Sequence, residues 1–178
     1  MPVFGWWALL LLVLIVTGAI GLTAFRYGLL PALVGGAPYM PTNPELVKTM
    51  IRLAGLKPSD RVVDLGSGDG RIVVAAAKAG VSQATGYEID GWNVWKANRE
   101  RKRLNLLNAR FIRRPFWKIS LREVDVVFVY GLPPYMARLA EKCAAELPSG
   151  ARVISLLYEL PGWRSLETQE GIHLYQKL

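Results

Sequence analysis

Apolar positions along this chain follow three patterns, and each predicts a different kind of element. From Met1 to Phe25 no side chain is charged, and FGWWALLLLVLIVTGAIGLTAF (4–25) is apolar almost throughout. As a helix that stretch spans about 33 Å, close to the hydrocarbon thickness of a bilayer. It predicts one N-terminal transmembrane helix, with Trp6 and Trp7 at one end and Arg26 and Tyr27 at the other as interfacial anchors. A cleaved signal peptide is the competing reading, because GLTA (21–24) offers small residues. The apolar stretch is long for that role and no basic residue opens the chain, so a retained anchor is preferred.

Pro and Gly recur through RYGLLPALVGGAPYMPTNP (26–44), which predicts an apolar linker suited to a membrane surface. Thr42 or Asn43 as a cap, with Pro44 and Glu45 in the first turn, opens a helix that Gly55 ends after Ala54. From there short strand-like runs alternate with helical periods. RVVDLG (61–66) reads as a buried strand, GRIVVAAAKAG (70–80) as a helix, QATGYEI (83–89) as a strand and GWNVWKANRERKRLN (91–105) as a helix. ARFIR (109–113) and VDVVFVYG (124–131) read as strands, PYMARLAEKCAAEL (134–147) as a helix, and ARVISLLYE (151–159) and GIHLYQKL (171–178) as the last strands. Met136, Ala140, Cys143 and Leu147 share one helical face and predict a core stripe. His173 reads as an exposed strand residue, and Trp92 with Trp95, three apart, as a packing pair or a wall for a substrate channel.

Such alternation predicts an α/β domain, a mostly parallel sheet with helices on both faces. Ligands of these sheets bind at the carboxyl ends of the strands, beside the point where strand order reverses. DLGSGDGR (64–71) is the first strand-to-helix turn and stands at that place. Its glycines at 66, 68 and 70 do not match a dinucleotide fingerprint, which would need a glycine where Arg71 stands, and no Gly-Lys-Ser or Gly-Lys-Thr follows. Asp69 inside the loop would also meet a pyrophosphate as a like charge. A ligand with one carboxylate and one ammonium fits better: the helix N-terminus favours the carboxylate, and the Asp64 region accepts from the ammonium. Glu88, closing the next strand, can accept from both hydroxyls of a ribose. An amino acid at one end and a ribose at the other describe S-adenosylmethionine.

Charge changes the picture in one respect. Lys and Arg number 22 against 14 Asp and Glu, a net charge of +8, all of it beyond residue 25. Lys96, Arg99, Arg101, Lys102, Arg103, Arg110, Arg113, Arg114 and Lys118 are opposed only by Glu100. That face suits anionic lipid headgroups, nucleic acid or an acidic protein, and a bilayer anchor favours the headgroups; a solvated helix face is the equal alternative. The single Cys143 excludes an intrachain disulfide and suits a reducing compartment. Arg26 as the one nearby basic residue favours placing the domain on the cytosolic (or matrix) side.

In order along the chain, Pro38-Tyr39-Met40-Pro41-Thr42, PELVKTMIRLAGL, VVDLGSGDGRIVVAAAKAG, GYEIDGWNVW, ARF followed by FWK, VVFVYGLP and ARVIS resemble one family. It is that of the membrane-anchored lysine methyltransferases, with the adenine nucleotide translocase and ATP synthase c-subunit enzymes and their prokaryotic relatives. The likeness runs from residue 38 to about residue 160 and takes in the upstream apolar segment. It implies a class I methyltransferase (Rossmann-like) fold, methyl transfer from S-adenosylmethionine, and a lysine of a protein, preferably a membrane protein, as acceptor. It also implies a more distant kinship with the non-SET histone lysine methyltransferases. The chain then divides into an anchor (1–26), a linker that closes over the cofactor (27–43) and a methyltransferase domain (44–178).

Carried over by position, Asp64, Gly66, Ser67, Gly68, Asp69 and Gly70 would hold the methionine part and Glu88 and Ile89 the ribose. Tyr39, Pro41 and Thr42 would close over the cofactor. Pro115 stands where relatives carry an Asp that contacts the adenine amine, which leaves adenine to Pro115, Phe116 and backbone contacts. Transfer to an amine needs alignment and a neutral nitrogen, so an apolar aromatic channel helps by disfavouring the ammonium. Tyr130, Gly131, Pro133 and Tyr135, after the fourth strand, are the acceptor-side candidates; Glu159 is a weak candidate for a base. The Pro-Pro-Tyr turn also resembles enzymes that methylate adenine in nucleic acid, but Leu132 replaces the Asp or Asn that bonds the target amine, so nucleic acid is disfavoured. A membrane-tethered module that binds the cofactor without turnover is the third reading, motivated by Pro115 and the missing base.

Overall fold

The computed structural model describes residues 4–25 and 40–178. By internal contacts the chain divides into two compact units, residues 1–39 and 40–178. In the first, α1 (Phe4–Ala24) carries no charge, and Gly5–Ala24 is long and apolar enough to cross a membrane. Thr17 and Thr23 donate their hydroxyls to the carbonyls of Val13 and Ala19 at 2.8 and 2.7 Å, so neither polar group needs water. The interfacial residues Arg26 and Tyr27 lie outside the described residues.

The second unit opens with α2 (Pro44–Ala54). Asn43 caps it, its side chain accepting from the Glu45 amide, and Gly55 ends it in a left-handed conformation. The elements that follow are β1 (Arg61–Leu65), α3 (Arg71–Lys78), β2 (Gln83–Glu88), α4 (Gly91–Arg103), β3 (Ala109–Arg113) and a 3-10 turn (Phe116–Lys118). Then come β4 (Val126–Val129), α5 (Pro133–Glu146), β5 (Arg152–Leu156), β6 (Glu167–Gln169) and β7 (Ile172–Gln176). They build one sheet in the order β3-β2-β1-β4-β5-β7-β6. Strands β1 to β5 pair in parallel, and β7 runs antiparallel between β5 and β6.

Alternation along each strand sorts the core into two layers. Val62 and Val126 join the layer of α2, α3 and α4, while Val63, Val127 and Val153 join that of α5. Met136, Ala140, Cys143 and Leu147 are all buried there, as the core stripe predicts. One ion pair ties the end of α2 to the sheet. Arg152 at the start of β5 reaches Asp60 at 2.6 Å and donates to the carbonyls of Ala54 and Gly55, the C-terminus of α2.

One expectation is corrected. His173 is buried rather than exposed, because β7 is an interior strand; its ring Nδ1 stands 3.2 Å from Thr168 Oγ1 on β6. Trp92 and Trp95 are a packing pair, their rings stacked on each other, but the pair lies on the surface with both rings about half exposed. Strand β6 escapes the apolar pattern altogether, since Glu167-Thr168-Gln169 is polar and mostly exposed.

Candidate functional site

Parallel pairing sets the carboxyl ends of β1, β2 and β4 side by side. Leu65 is level with Tyr87 on one flank and with Val129 on the other. The chain leaves β1 into the glycine turn, β2 into Glu88 and Ile89, and β4 into Tyr130 and Gly131, so three sequence-distant candidate groups meet at one edge. The adjacent edge of β3 adds a fourth: the Arg114 amide donates to the Glu88 carbonyl at 2.9 Å, which brings Pro115 and Phe116 beside Glu88.

The glycine turn is held from below. The amides of Gly66 and Ser67 both donate to the Tyr87 carbonyl, at 2.9 and 3.0 Å, and the Gly70 amide returns to Ser67 at 2.8 Å. Gly70 has φ +86°, and a Cβ there would stand 2.5 Å from the Phe111 ring and 2.9 Å from Ala97. Only glycine closes the turn onto the sheet at that point. Gly66, at φ +91°, has nothing near its Cβ position among the described residues; it is exposed and leaves the backbone open to a ligand. Ser67 lies over Gly86 of β2, where a side chain would meet its Oγ at 2.5 Å, and that buried hydroxyl has no hydrogen-bond partner among the described residues.

Glu88 is the junction of the site. One carboxylate oxygen accepts the Gly68 amide at 2.8 Å, and the other accepts the amides of Ile89 and Asp90 at 2.7 and 2.9 Å. A carboxylate offers about four acceptor positions, so the oxygen that holds Gly68 retains capacity for a ligand hydroxyl. Asp90 in turn caps α4 through the amides of Trp92 and Asn93.

Asp64, the penultimate residue of β1, lies beneath the turn, almost fully buried. Burial first, and then the charges of Glu88 and Asp69, push its carboxyl up to about 8. A buried carboxyl beside two further acids suits a positively charged ligand, which would hold it ionised. Those acceptor carboxylates and the open backbone at Gly66 fit the amino group and ribose of S-adenosylmethionine.

Asp69 also has a partner within the chain. Its two oxygens are forked by Arg71, at 2.9 Å from Nε and 2.6 Å from Nη2, and Arg71 also donates to the carbonyl of buried Thr42. Asp69 and Arg71 thus tether the segment Met40–Asn43 to the first turn of α3. Of the closing residues, Pro41 and Thr42 belong to that tethered segment, while Tyr39 lies outside the described residues. Arg71 and Gly86 are contributors that the spacing argument missed. Gly86 had a signal, since glycine inside a strand marks a close approach; Arg71 had none.

On the acceptor side Tyr130, Gly131 and Tyr135 are half-buried and Pro133 is exposed at the start of α5. Arg138, one turn into α5, lies over the Trp117 ring at 4.3 Å, and Phe116 packs against Trp117. This contact links the turn bearing Pro115 and Phe116 to the helix that follows the acceptor turn. Glu159 is exposed beyond β5. Cys143 is buried within α5's core face, its thiol pushed up to about 12 by burial, which leaves it unreactive.

Comparison with known proteins agrees with this geometry. The family model described as the ANTKMT methyltransferase domain matches residues 64–167. The chain is 37% identical over 158 residues to the ATP synthase c-subunit lysine N-methyltransferase of Xenopus laevis, covering 84% of this chain and 69% of that protein. It is 33% identical over 132 residues to a protein-lysine N-methyltransferase of Saccharolobus islandicus, covering 73% of this chain and 82% of that one. Among solved structures, an RNA methyltransferase of Salinibacter ruber in complex with S-adenosyl-L-homocysteine superposes with a TM-score of 0.71 at 31% identity, over 78% of this chain and 92% of that one. The chain spans only 55% of the mouse c-subunit enzyme's length.

Proposed function

The chain belongs to the family of the ANTKMT methyltransferase domain, and from that premise we propose that it is an S-adenosylmethionine-dependent protein-lysine N-methyltransferase. One observation carries the reading: the glycine turn, Asp64 and Glu88 stand together at the carboxyl edge, bound to one another through Glu88 and Gly68.

S-adenosylmethionine supplies an electrophilic methyl group on a sulfonium. The chain's own residues bind and align around it. Asp64, ionised by the incoming ammonium, holds the amino acid end, and the open turn at Gly66 and Gly68 lets backbone approach closely. Glu88 and Ile89 take the ribose, and Pro115 with Phe116 covers the adenine with apolar surface. Pro41 and Thr42, held through the Arg71 contact to the Thr42 carbonyl, close the near side together with Tyr39. Tyr130, Gly131, Pro133 and Tyr135 wall the approach of the lysine. Aromatic walls disfavour the ammonium and so favour the neutral amine that attacks, while their faces attract a methylated ammonium product.

The acceptor in this reading is a lysine of a membrane protein. Relatives named for the ATP synthase c-subunit and for the adenine nucleotide translocase support it. So does α1, because tethering confines enzyme and acceptor to one surface and raises their effective concentration. Residues 1–26 serve as a single-pass anchor, 27–43 as the linker and closing segment, and 44–178 as the catalytic domain, placed on the cytosolic (or matrix) side. The basic stretch from Lys96 to Lys118 faces anionic headgroups.

A nucleic-acid acceptor is the second reading, favoured by the RNA methyltransferase neighbour and by the basic stretch. Leu132 opposes it, since its side chain cannot accept from a flipped base's amine. Purified protein, labelled S-adenosylmethionine and whole membranes decide between them. Label on lysine by mass spectrometry, lost in Asp64→Ala and Glu88→Ala, is expected. Nuclease-sensitive label selects nucleic acid, and cofactor bound without any transfer selects a tethered binding module.

A further inference from the structure

The helical period of α4 gathers Trp92, Trp95, Lys96, Arg99, Lys102 and Arg103 onto one face, opposite the buried Asn93 and Ala97. Trp92 is 50% and Trp95 48% exposed, an unusual cost for two large rings on a domain surface. The rings stack with centroids 4.7 Å apart at 13°, and the Arg99 guanidinium lies 5.6 Å from the Trp95 centroid. Around them the charge is strongly positive. Glu100 is the one acid of the helix, and Arg103 already neutralises it at 2.6 Å.

We propose that this face of α4 docks on the surface of an anionic bilayer, with the two indoles at headgroup level and the basic side chains among the headgroups. Indole rings prefer the interface because one edge is polar and the body apolar, and each nearby basic residue adds attraction to an anionic leaflet. Single-stranded nucleic acid fits less well, because base stacking needs open ring faces and Trp95 already has Trp92 and Arg99 against its ring. The inference deepens the membrane reading above and rests on it.

Orientation follows from position. Trp92 is the second residue of α4, three residues beyond Ile89 and the carboxyl end of β2, whereas Arg103 ends the helix away from that edge. Docking through this face therefore keeps the start of α4, which directly follows the edge bearing Glu88, at the membrane surface, where the lysine of an embedded substrate would emerge.

The full chain is reconstituted into phosphatidylcholine vesicles with or without phosphatidylglycerol, all containing lipid brominated near the headgroup. Subtracting the emission of Trp92→Phe/Trp95→Phe from that of the native chain isolates the α4 indoles from Trp6, Trp7, Trp117 and Trp163. The expected result is quenching of this difference signal in anionic vesicles, lost in high salt. In Arg99→Gln/Lys102→Gln the docking equilibrium is expected to weaken roughly thirtyfold. An unquenched difference signal in anionic vesicles overturns the proposal, as does salt-sensitive binding of single-stranded RNA in detergent that Trp92→Ala abolishes. Alkaline extraction tests the anchor separately. If the chain washes off, the anchor reading fails, while α4 docking still requires co-flotation with anionic but not neutral vesicles, and its absence overturns the docking. Equilibrium dialysis of S-adenosylmethionine is expected to be unchanged in these variants, which keeps the result independent of the proposed reaction.

Discussion

The Glu88 carboxylate accepts the backbone amide of Gly68 at 2.8 Å, across 20 residues of sequence. Its other oxygen accepts the amides of Ile89 and Asp90. A side chain expected to bind ribose is therefore also the strut that fixes the glycine turn against β2, and its two roles separate in substitution.

Removing the strut and the ribose acceptor together is the larger change. Glu88→Ala is expected to lower S-adenosylmethionine affinity about 10- to 100-fold, the range for losing one or two hydrogen bonds to a charged group. Glu88→Gln keeps one acceptor oxygen and should recover part of the loss. Titration calorimetry on the two variants checks the order; equal affinities in both would deny the carboxylate its part.

Asp64 sets a pH dependence whose sign follows from its raised value. The unfolded carboxyl titrates near 3.8 and the folded one near 8, so the folded chain holds an extra proton between those values. Stability without cofactor is expected to fall as pH rises from about 4 to about 8, by at most about 1.4 kcal/mol per pH unit. Cofactor affinity should move the other way, rising as pH approaches 8, because the ammonium pairs with the ionised form. Thermal melts with and without cofactor across that window test both slopes, and Asp64→Asn should flatten them.

Arg71 joins Asp69 to the Thr42 carbonyl, so its loss should free the closing segment rather than unfold the domain. Both side chains of the Arg71–Asp69 pair are about a quarter to a third exposed, which limits its worth to stability. Arg71→Leu is expected to raise KM for S-adenosylmethionine about tenfold, equivalent to roughly 1.4 kcal/mol, and to speed hydrogen exchange at residues 40–43. Arg71→Lys restores charge but not the fork, and should rescue poorly. Unchanged exchange in Arg71→Leu would show that the tether is idle.

The Arg152–Asp60 pair is the structural counterpart. Both side chains are largely buried, at 16% and 6% exposed, and Asp60 also accepts the Lys57 amide at 2.7 Å. Asp60→Ala leaves a buried guanidinium without its carboxylate, and a loss of about 3 to 5 kcal/mol is expected. Denaturant unfolding measures it. Cofactor affinity, corrected for folded fraction, should not change, since the pair lies at the opposite ends of the strands from the site.

Much of this protein is legible before folding because its information is local. The uncharged stretch to Phe25, the period of α5's stripe from Met136 to Leu147, and the glycine turn between an apolar strand and helix are each written in consecutive residues. Glu88 at the end of the second strand is legible for the same reason, and so is the resemblance that joins these pieces.

Pairing decided the rest. His173 is buried because β7 sits between β5 and β6, and no periodicity within five residues reveals a neighbour made of Glu167, Thr168 and Gln169. Asp64's raised pKa comes first from its burial in the sheet and then from Glu88, brought beside it by parallel register, and from Asp69 of the same turn. Arg71's grip on Thr42 and the open stack of Trp92 on Trp95 depend on which helix face the sheet covers. Backbone propensity and periodicity act over a few residues, so the elements other than β6 and the glycine turn are already written in consecutive positions. Which charges meet and which aromatic rings face water follow from the folded arrangement, because burial and Coulomb energy depend on distance in space.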